Sequence, residues 1–225
     1  MKKLTFLFAL FNILVLNVYA EGGKNINKNI QVTPTGLVFY ENEIKTTSDG
    51  ISYIFFICPT SNSLSMRLQI IDKEGNRVCP RGGYVISEEA NKTWTSTNQH
   101  LLIDRDNNAI VAVQDYRCNP NDILSTYSIY KFNQKGEKIW GATVLNDSIG
   151  HTMEAGLSMS CCDDGGYIFA YEFSDENKRK DCVCIEKLDK NGKSLWKKIV
   201  SENTYSSFPF PYVIDAGQNK TILMY

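Results

Sequence analysis

The stretch EKLDKNGKSLWKK, Glu186 to Lys198, joins the end of an apolar segment, a polar turn with one glycine and a tryptophan in a single short run. In its Asp189-Lys190-Asn191-Gly192 turn the aspartate side chain can accept hydrogen bonds from backbone amides ahead of it, and Gly192 can take positive φ at little cost. The predicted result is a tight hairpin with a bulge. Ile185 and Leu195 then lie on neighbouring strands. Trp196, four residues past the glycine, is placed where a large ring can cover the junction with an adjacent unit.

The same pattern occurs twice upstream, as LQIIDKEGNRVCP (Leu68–Pro80) and IYKFNQKGEKIWG (Ile129–Gly141). The repeated turn residues are Asp72 and Gly75, Asn133 and Gly136, and Asp189 and Gly192. Trp140 matches Trp196, and Cys79 stands in that place in the first copy. The glycines are 61 and 56 residues apart. A second element, a polar turn leading into an apolar strand, precedes each copy: SDGISYIFFI from Ser48, DRDNNAIVAVQ from Asp104 and CDDGGYIFAYEF from Cys162. A fourth, DAGQNKTILMY, begins at Asp215. Asp49, Asp106 and Asp164 are spaced by 57 and 58 residues, so two independent features share one period.

Each unit therefore contains an incoming strand such as HLLID or GLSMS, a short turn, an apolar strand, a variable polar hairpin, a further strand, the D/N-x-x-G turn and a final strand. Four strands joined as a meander make one β-propeller blade. Helical periodicity is absent after residue 20. The expected fold is all-β, a β-propeller-like array of four-stranded antiparallel blades with about 3.5 repeats of 55 to 61 residues. Closed propellers have about 4 to 8 blades. The expectation is therefore that the chain is the N-terminal part of a longer protein, with an irregular four-bladed closure as the alternative. A strand around NIQVT, Asn29 to Thr33, is a candidate to pair with a C-terminal blade.

Lys2 and Lys3, the apolar run Leu4 to Val18 and the VYA tripeptide before Glu21 read as a secretory signal peptide over residues 1–20, leaving a repeat domain over 21–225. Asn12 and Asn17 interrupt the run and it is short for a membrane span. The expected location is exported: periplasmic, cell-surface or secreted, with no membrane span. A formal charge of −1 gives no electrostatic footprint for nucleic acid. The seven cysteines, Cys58, Cys79, Cys118, Cys161, Cys162, Cys182 and Cys184, are an odd number, so at least one thiol is unpaired within the chain. On a strand, Cys182 and Cys184 share a face and Cys161 and Cys162 oppose one another; neither is the spacing of a zinc knuckle.

Candidate chemistry is sparse. Asp104, Asp106 and Asn108, with Asp115 at the twelfth place, alternate as oxygen ligands of a calcium loop do, but the sixth place holds Ala109 where such a loop has glycine. No cofactor is expected, calcium being the one option weighed. His100 and His151 are the only imidazoles, and neither accompanies a recognisable nucleophile motif. Asp163 with Asp164 and Glu88 with Glu89 read as turn or solvated residues. No catalytic, cofactor or metal residues are therefore assigned.

The strand-D/N-x-x-G-x-x-hydrophobic-Trp copies resemble the blade repeats of exported β-propeller-like proteins of the Bacteroidetes, in which KLDKNGK-LW segments recur. LDKNGKSLW is also similar to the docking repeat of quinoprotein propellers and outer-membrane assembly propellers, whose blades are shorter; no cofactor-binding pattern of the quinoproteins matches here. The first resemblance implies a surface-associated or secreted protein. The expected function is a non-catalytic binding or scaffold module for a protein or carbohydrate, recognised by loop residues such as Tyr116, Tyr205, Phe208 and Phe210. A rigid inter-blade linker is the plain alternative for FPFPY. The enzymatic alternative is the N-terminal part of a propeller hydrolase or lyase, with carboxylates lining a central channel or in further blades.

Overall fold

A computed structural model of the chain describes residues 32, 40–59, 64–87, 101–115, 126–145, 151–175, 180–203, 211–218 and 220–225. The first unit contributes β1 (Tyr40–Thr46), β2 (Ser52–Pro59), β3 (Leu64–Ile71) and β4 (Tyr84–Ser87). The second contributes β5 (Leu101–Ile103), β6 (Ala109–Asp115), β7 (Thr126–Phe132) and β8 (Lys138–Leu145), and the third β9 (His151–Cys161), β10 (Tyr167–Asp175), β11 (Lys180–Leu188) and β12 (Ser194–Asn203). Each set forms one four-stranded antiparallel sheet in sequence order, and β13 (Tyr212–Gly217) and β14 (Lys220–Met224) form a two-stranded fourth. The meander expected from the repeats is the observed one, and the fold is all-β and propeller-like. The first strands form the inner row: β1 lies against β5, β5 against β9 and β9 against β13.

The second strands of the second and third units read as unbroken apolar runs because sheets cover them on both sides. Along β6, Ala109, Val111 and Val113 face the first unit, while Ile110 and Ala112 face the third. Along β10, Tyr167, Phe169, Tyr171 and Phe173 face the second unit, while Ile168 and Ala170 join Val213 of the fourth. The core is thus a series of interfaces between blades. In the first unit, Ile54, Phe56, Cys58 and Ile71 form the outward face. Val32, the one described residue of the NIQVT stretch, packs there and not on the C-terminal unit. That face is buried, with Ile54, Phe56, Cys58 and Ile71 each at most 5% exposed.

The two turns of each full unit share one design. Residues 47–51, 104–108 and 162–166 link the first and second strands; residues 72–76, 133–137 and 189–193 follow the third. In all six the fourth residue donates its N–H to the carbonyl of the first, at 2.9–3.0 Å. That fourth residue has positive φ: Gly50, Gly75, Gly136, Gly165 and Gly192, and Asn107 at 60°. Asparagine is among the few side chains that tolerate this conformation. The first residue caps the loop with its own side chain in five cases. Asp189 Oδ1, for example, accepts from the amides of Asn191 at 2.8 Å and Lys193 at 2.9 Å. The expected bulges sit beside the turns, at Lys131/Phe132 and Lys187/Leu188.

The first unit departs from this pattern. After its D-x-x-G turn, residues 77–83 make an additional loop before β4. Gln69, fully buried on β3, holds it: Nε2 donates to the Pro80 carbonyl at 3.1 Å, and Oε1 accepts from the Cys79 amide at 3.2 Å.

Candidate functional site

The meander places all six repeated turns at one end of the array. The strand ends that border residues 60–63, 116–125 and 176–179 within units, and 88–100, 146–150 and 204–210 between them, lie at the other. The first will be called the turn end and the second the loop end.

At the turn end, polar side chains link neighbouring units. Gln134 Nε2 donates to Asp49 Oδ2 at 3.3 Å, across the first and second units. Arg105 reaches from the second unit to Asp163 of the third, donating to its carbonyl at 3.0 Å and pairing with its carboxylate. Asp215 of the fourth unit in turn accepts the Asp163 amide at 2.7 Å. Cys162 opens this turn and has no side-chain oxygen to cap it. Asp164 Oδ1 accepts from Gly166 instead, at 3.0 Å, and its other oxygen pairs with Lys187. The adjacent carboxylates are therefore turn residues, as read from the sequence. Hydrogen bonding to Lys187 and to the Gly166 amide holds the Asp164 carboxyl below its usual range.

Aromatic rings complete these links. Trp140 lies over Gly192, whose replacement by any residue with a Cβ would put that atom 2.6 Å from the indole. Its Nε1 donates to the Lys190 carbonyl at 3.1 Å, and Thr143 Oγ1 donates to that of Gly192 at 2.6 Å. Cys79 occupies the equivalent place in the first unit, with Sγ 3.2 Å from the Cβ position of Gly136. Trp196, the third of the series, is 44% exposed.

The junction of the second and third units buries a charge network. Asp104 Oδ1 accepts from the amides of Asp106 at 2.9 Å and Asn108 at 2.8 Å. Its Oδ2 lies 2.8 Å from Lys131 Nζ and accepts from Tyr167 Oη at 3.1 Å. Lys131 Nζ also donates to Tyr167 Oη at 2.9 Å. Burial alone would raise the Asp104 carboxyl, but the Lys131 ammonium and the Asn108 amide hold it below the usual range. Tyr167 is pushed upward by burial and by the neighbouring Asp104 charge. The loop weighed as a calcium site thus has its leading carboxylate engaged at both oxygens, Oδ2 by the Lys131 ammonium and the Tyr167 hydroxyl. The side chain of Asp115 lies outside the described residues.

A second buried carboxylate, Glu186, accepts from Tyr171 Oη at 2.8 Å and from Ser194 Oγ at 2.7 Å. Hydroxyls satisfy both of its oxygens within the third unit. Among the described residues, no group of three or more His, Cys, Asp or Glu side chains is arranged to hold a metal.

Cys58, Cys79, Cys161, Cys162, Cys182 and Cys184 are all unbridged, and Cys118 lies outside the described residues. As the strand pattern predicts, Cys182 and Cys184 share the face towards the second unit, while Cys161 and Cys162 point to opposite clusters. Burial pushes the thiols of Cys161, Cys162 and Cys184 up to about 11. They are neutral at ordinary pH and poor nucleophiles.

On the inner row, Glu43 of β1 accepts the Leu101 amide of β5 at 3.1 Å. Ser158 of β9 does the same for Val213 of β13 at 3.0 Å, and Ser160 for Asp215 at 3.2 Å. Glu43 and Ser158 stand at corresponding places, four residues before Thr47 and Cys162, the openings of their turns. Sequence reading missed this pair; equal distance from the turn was the available signal. The rest of the described inner row is largely apolar, with Leu101, Leu157 and Met159 buried.

The residues singled out for recognition, Tyr116, Tyr205, Phe208 and Phe210, lie outside the described residues, as does His100. His151 opens β9, where its backbone pairs with Ser174. The strand reaches that far through a bulge: Leu157 pairs with Tyr171 and Thr152 with Phe173, so residues 153–156 face Glu172 alone. His151 and Glu154 are thus placed on the innermost strand at the loop end.

No family model matches the chain, and no curated protein matches it. Among solved structures, the chain is similar to an endo-arabinase from Bacteroides thetaiotaomicron VPI-5482 at 12% identity and a TM-score of 0.44, covering 81% of this chain and 68% of that one. No helix among the described residues is long and apolar enough to cross a membrane.

Proposed function

We propose that the chain is an exported, non-catalytic propeller-like module of the Bacteroidetes repeat type that binds a protein or carbohydrate at its loop end. The carrying observation is the separation of the two ends. The turns keep one length and one hydrogen-bond design through three units, whereas the opposite connections vary from 60–63 to 116–125 within units. Specific recognition draws on parts that differ, and loops on a rigid scaffold supply them. The polar side chains traced at the turn end and within the junctions are engaged in holding blades together, which supports a scaffold role there.

The test exchanges residues 116–125 for the short connection 176–179 and compares both chains on a glycan array and in pull-downs from the source culture. Loss of a captured ligand with an unchanged melting temperature is expected. Retained binding would move recognition elsewhere.

A second reading rests on the β9 bulge, because bulges on inner strands often re-aim side chains at active sites. It makes the protein a hydrolase or lyase, with Glu154 and His151 as the residues to replace first. Release of reducing sugar from a polysaccharide panel, abolished in Glu154→Gln, would sink the non-catalytic reading.

A further inference from the structure

We infer that Lys190, Lys193, Lys197 and Lys198, on the outer strand of the third unit and the turn before it, bind a linear acidic polysaccharide whose sugars carry carboxylates. All four lysines are exposed. Among the described residues, Lys190, Lys193 and Lys198 make no ion pair. The carboxylates of the same run serve the fold instead. Glu186 is buried and accepts from the Tyr171 and Ser194 hydroxyls, and Asp189 Oδ1 accepts from two turn amides. Lys187, the fifth lysine of the run, pairs with Asp164. The remaining ammoniums face solvent with little local neutralisation.

The other units show that the fold does not ask for these charges. Each of the three has the same four-stranded sheet, yet the outer strand β4 holds no cation and β8 holds Lys138 alone. The earlier turns carry Lys73, Arg77 and Lys135, but with Glu74 and Glu137 beside them; the third turn has Asn191 in the place of Glu74 and Lys193 in the place of Glu137. From Lys193 to Lys198 the extended backbone covers about 16 Å, a row one polymer chain wide. A membrane fits less well, because the whole chain has a formal charge of −1 and a broad anionic surface would also meet exposed carboxylates such as Asp163 and Asp164. A single polymer chain can follow the row and leave them aside. Lysines on an edge strand also discourage pairing with other chains, a role that the test separates from binding.

This surface is separate from the loop end, and exchange of residues 116–125 leaves it intact, so the two readings fail separately. The test measures binding of the full chain to polygalacturonate, to uncharged dextran and to phosphatidylglycerol vesicles. Polygalacturonate should bind and dextran should not, and salt should weaken the binding through screening. A chain with Lys190→Glu, Lys193→Glu and Lys198→Glu together should lose about tenfold or more in affinity. Lys135→Glu with Lys138→Glu on the second unit should change it little. If charge reversal lowers the melting temperature, glutamine at the same three positions replaces it. The proposal is overturned if polygalacturonate does not bind, if the second-unit variant loses as much, or if vesicles bind as tightly. A glutamine variant that self-associates while binding is unchanged also overturns it, leaving the lysines as guards of the edge.

Discussion

The turn end and the loop end of this molecule are built from the same strands but under opposite constraints. At the turn end each hairpin must present a left-handed residue, a side-chain cap and a surface that the next blade's neighbour can cover, so Gly192 answers to Trp140 as well as to its own turn. At the loop end β9 extends through a bulge in which residues 153–156 face Glu172 alone. The difference teaches where the chain tolerates change: substitutions at the turn end act on the scaffold, and on the proposed function those at the loop end act on recognition.

The comparison can be broken first at the buried charge. Asp104→Asn leaves Lys131 beside Tyr167 without a countercharge, and loss of one partner of a buried pair costs about 3–5 kcal/mol. Urea unfolding should show that loss, and the double variant Asp104→Asn with Lys131→Met should recover part of it. The pH dependence follows in sign. Because the folded carboxyl titrates below the free aspartate value of about 3.9, its contribution is present above that value and lost as pH falls through the folded pKa. Stability of the Asp104→Asn chain should therefore fall less steeply between neutral and acid pH.

A pair of glycines separates backbone strain from crowding. Gly165 has positive φ but nothing within 4 Å of its Cβ position, whereas that of Gly192 collides with Trp140. Gly165→Ala should cost about 1–2 kcal/mol, from the left-handed backbone alone. Gly192→Ala should exceed it by about 1–3 kcal/mol, in the range of overpacking, and thermal melts of the two variants would resolve the gap.

The tryptophans give a contrast of similar size. Trp140→Ala removes a seated ring and should cost about 3 kcal/mol, while Trp196→Ala on the free chain should stay within about 0.5 kcal/mol, as exposed positions do. Equal losses would mean that Trp196 is covered. Iodoacetamide at pH 8 should leave the six described cysteines unmodified in the native chain and label them once it is unfolded, as mass spectrometry would count.

The repeat was legible because each of its signals lies within a few residues: a carboxylate or amide, a glycine three later and a large side chain four beyond that. That spacing matches Cys79, Trp140 and Trp196, and the structure places Cys79 beside Gly136 and Trp140 over Gly192. The junctions were less legible. Lys131 meets Asp104 and Tyr167 across two units, at separations no local pattern marks, and Asp104 alone resembled a cation loop because capping a turn and binding a metal both use alternating oxygens. Gln69 was missed for a similar reason, since its role exists only through the additional loop of the first unit. The residues weighed for recognition lie in the connections whose lengths differ, where no period helps.

The Lys131–Asp104–Tyr167 contact also bears on how such arrays grow. Tandem units are commonly pictured as interchangeable modules, added or lost by duplication. Here a copy inserted between the second and third would part the Tyr167 hydroxyl from the Lys131–Asp104 pair it bonds, leaving buried polar groups unmatched on both sides. The order of the blades is thus written into their seams, and lengthening of this array is expected at places other than that one.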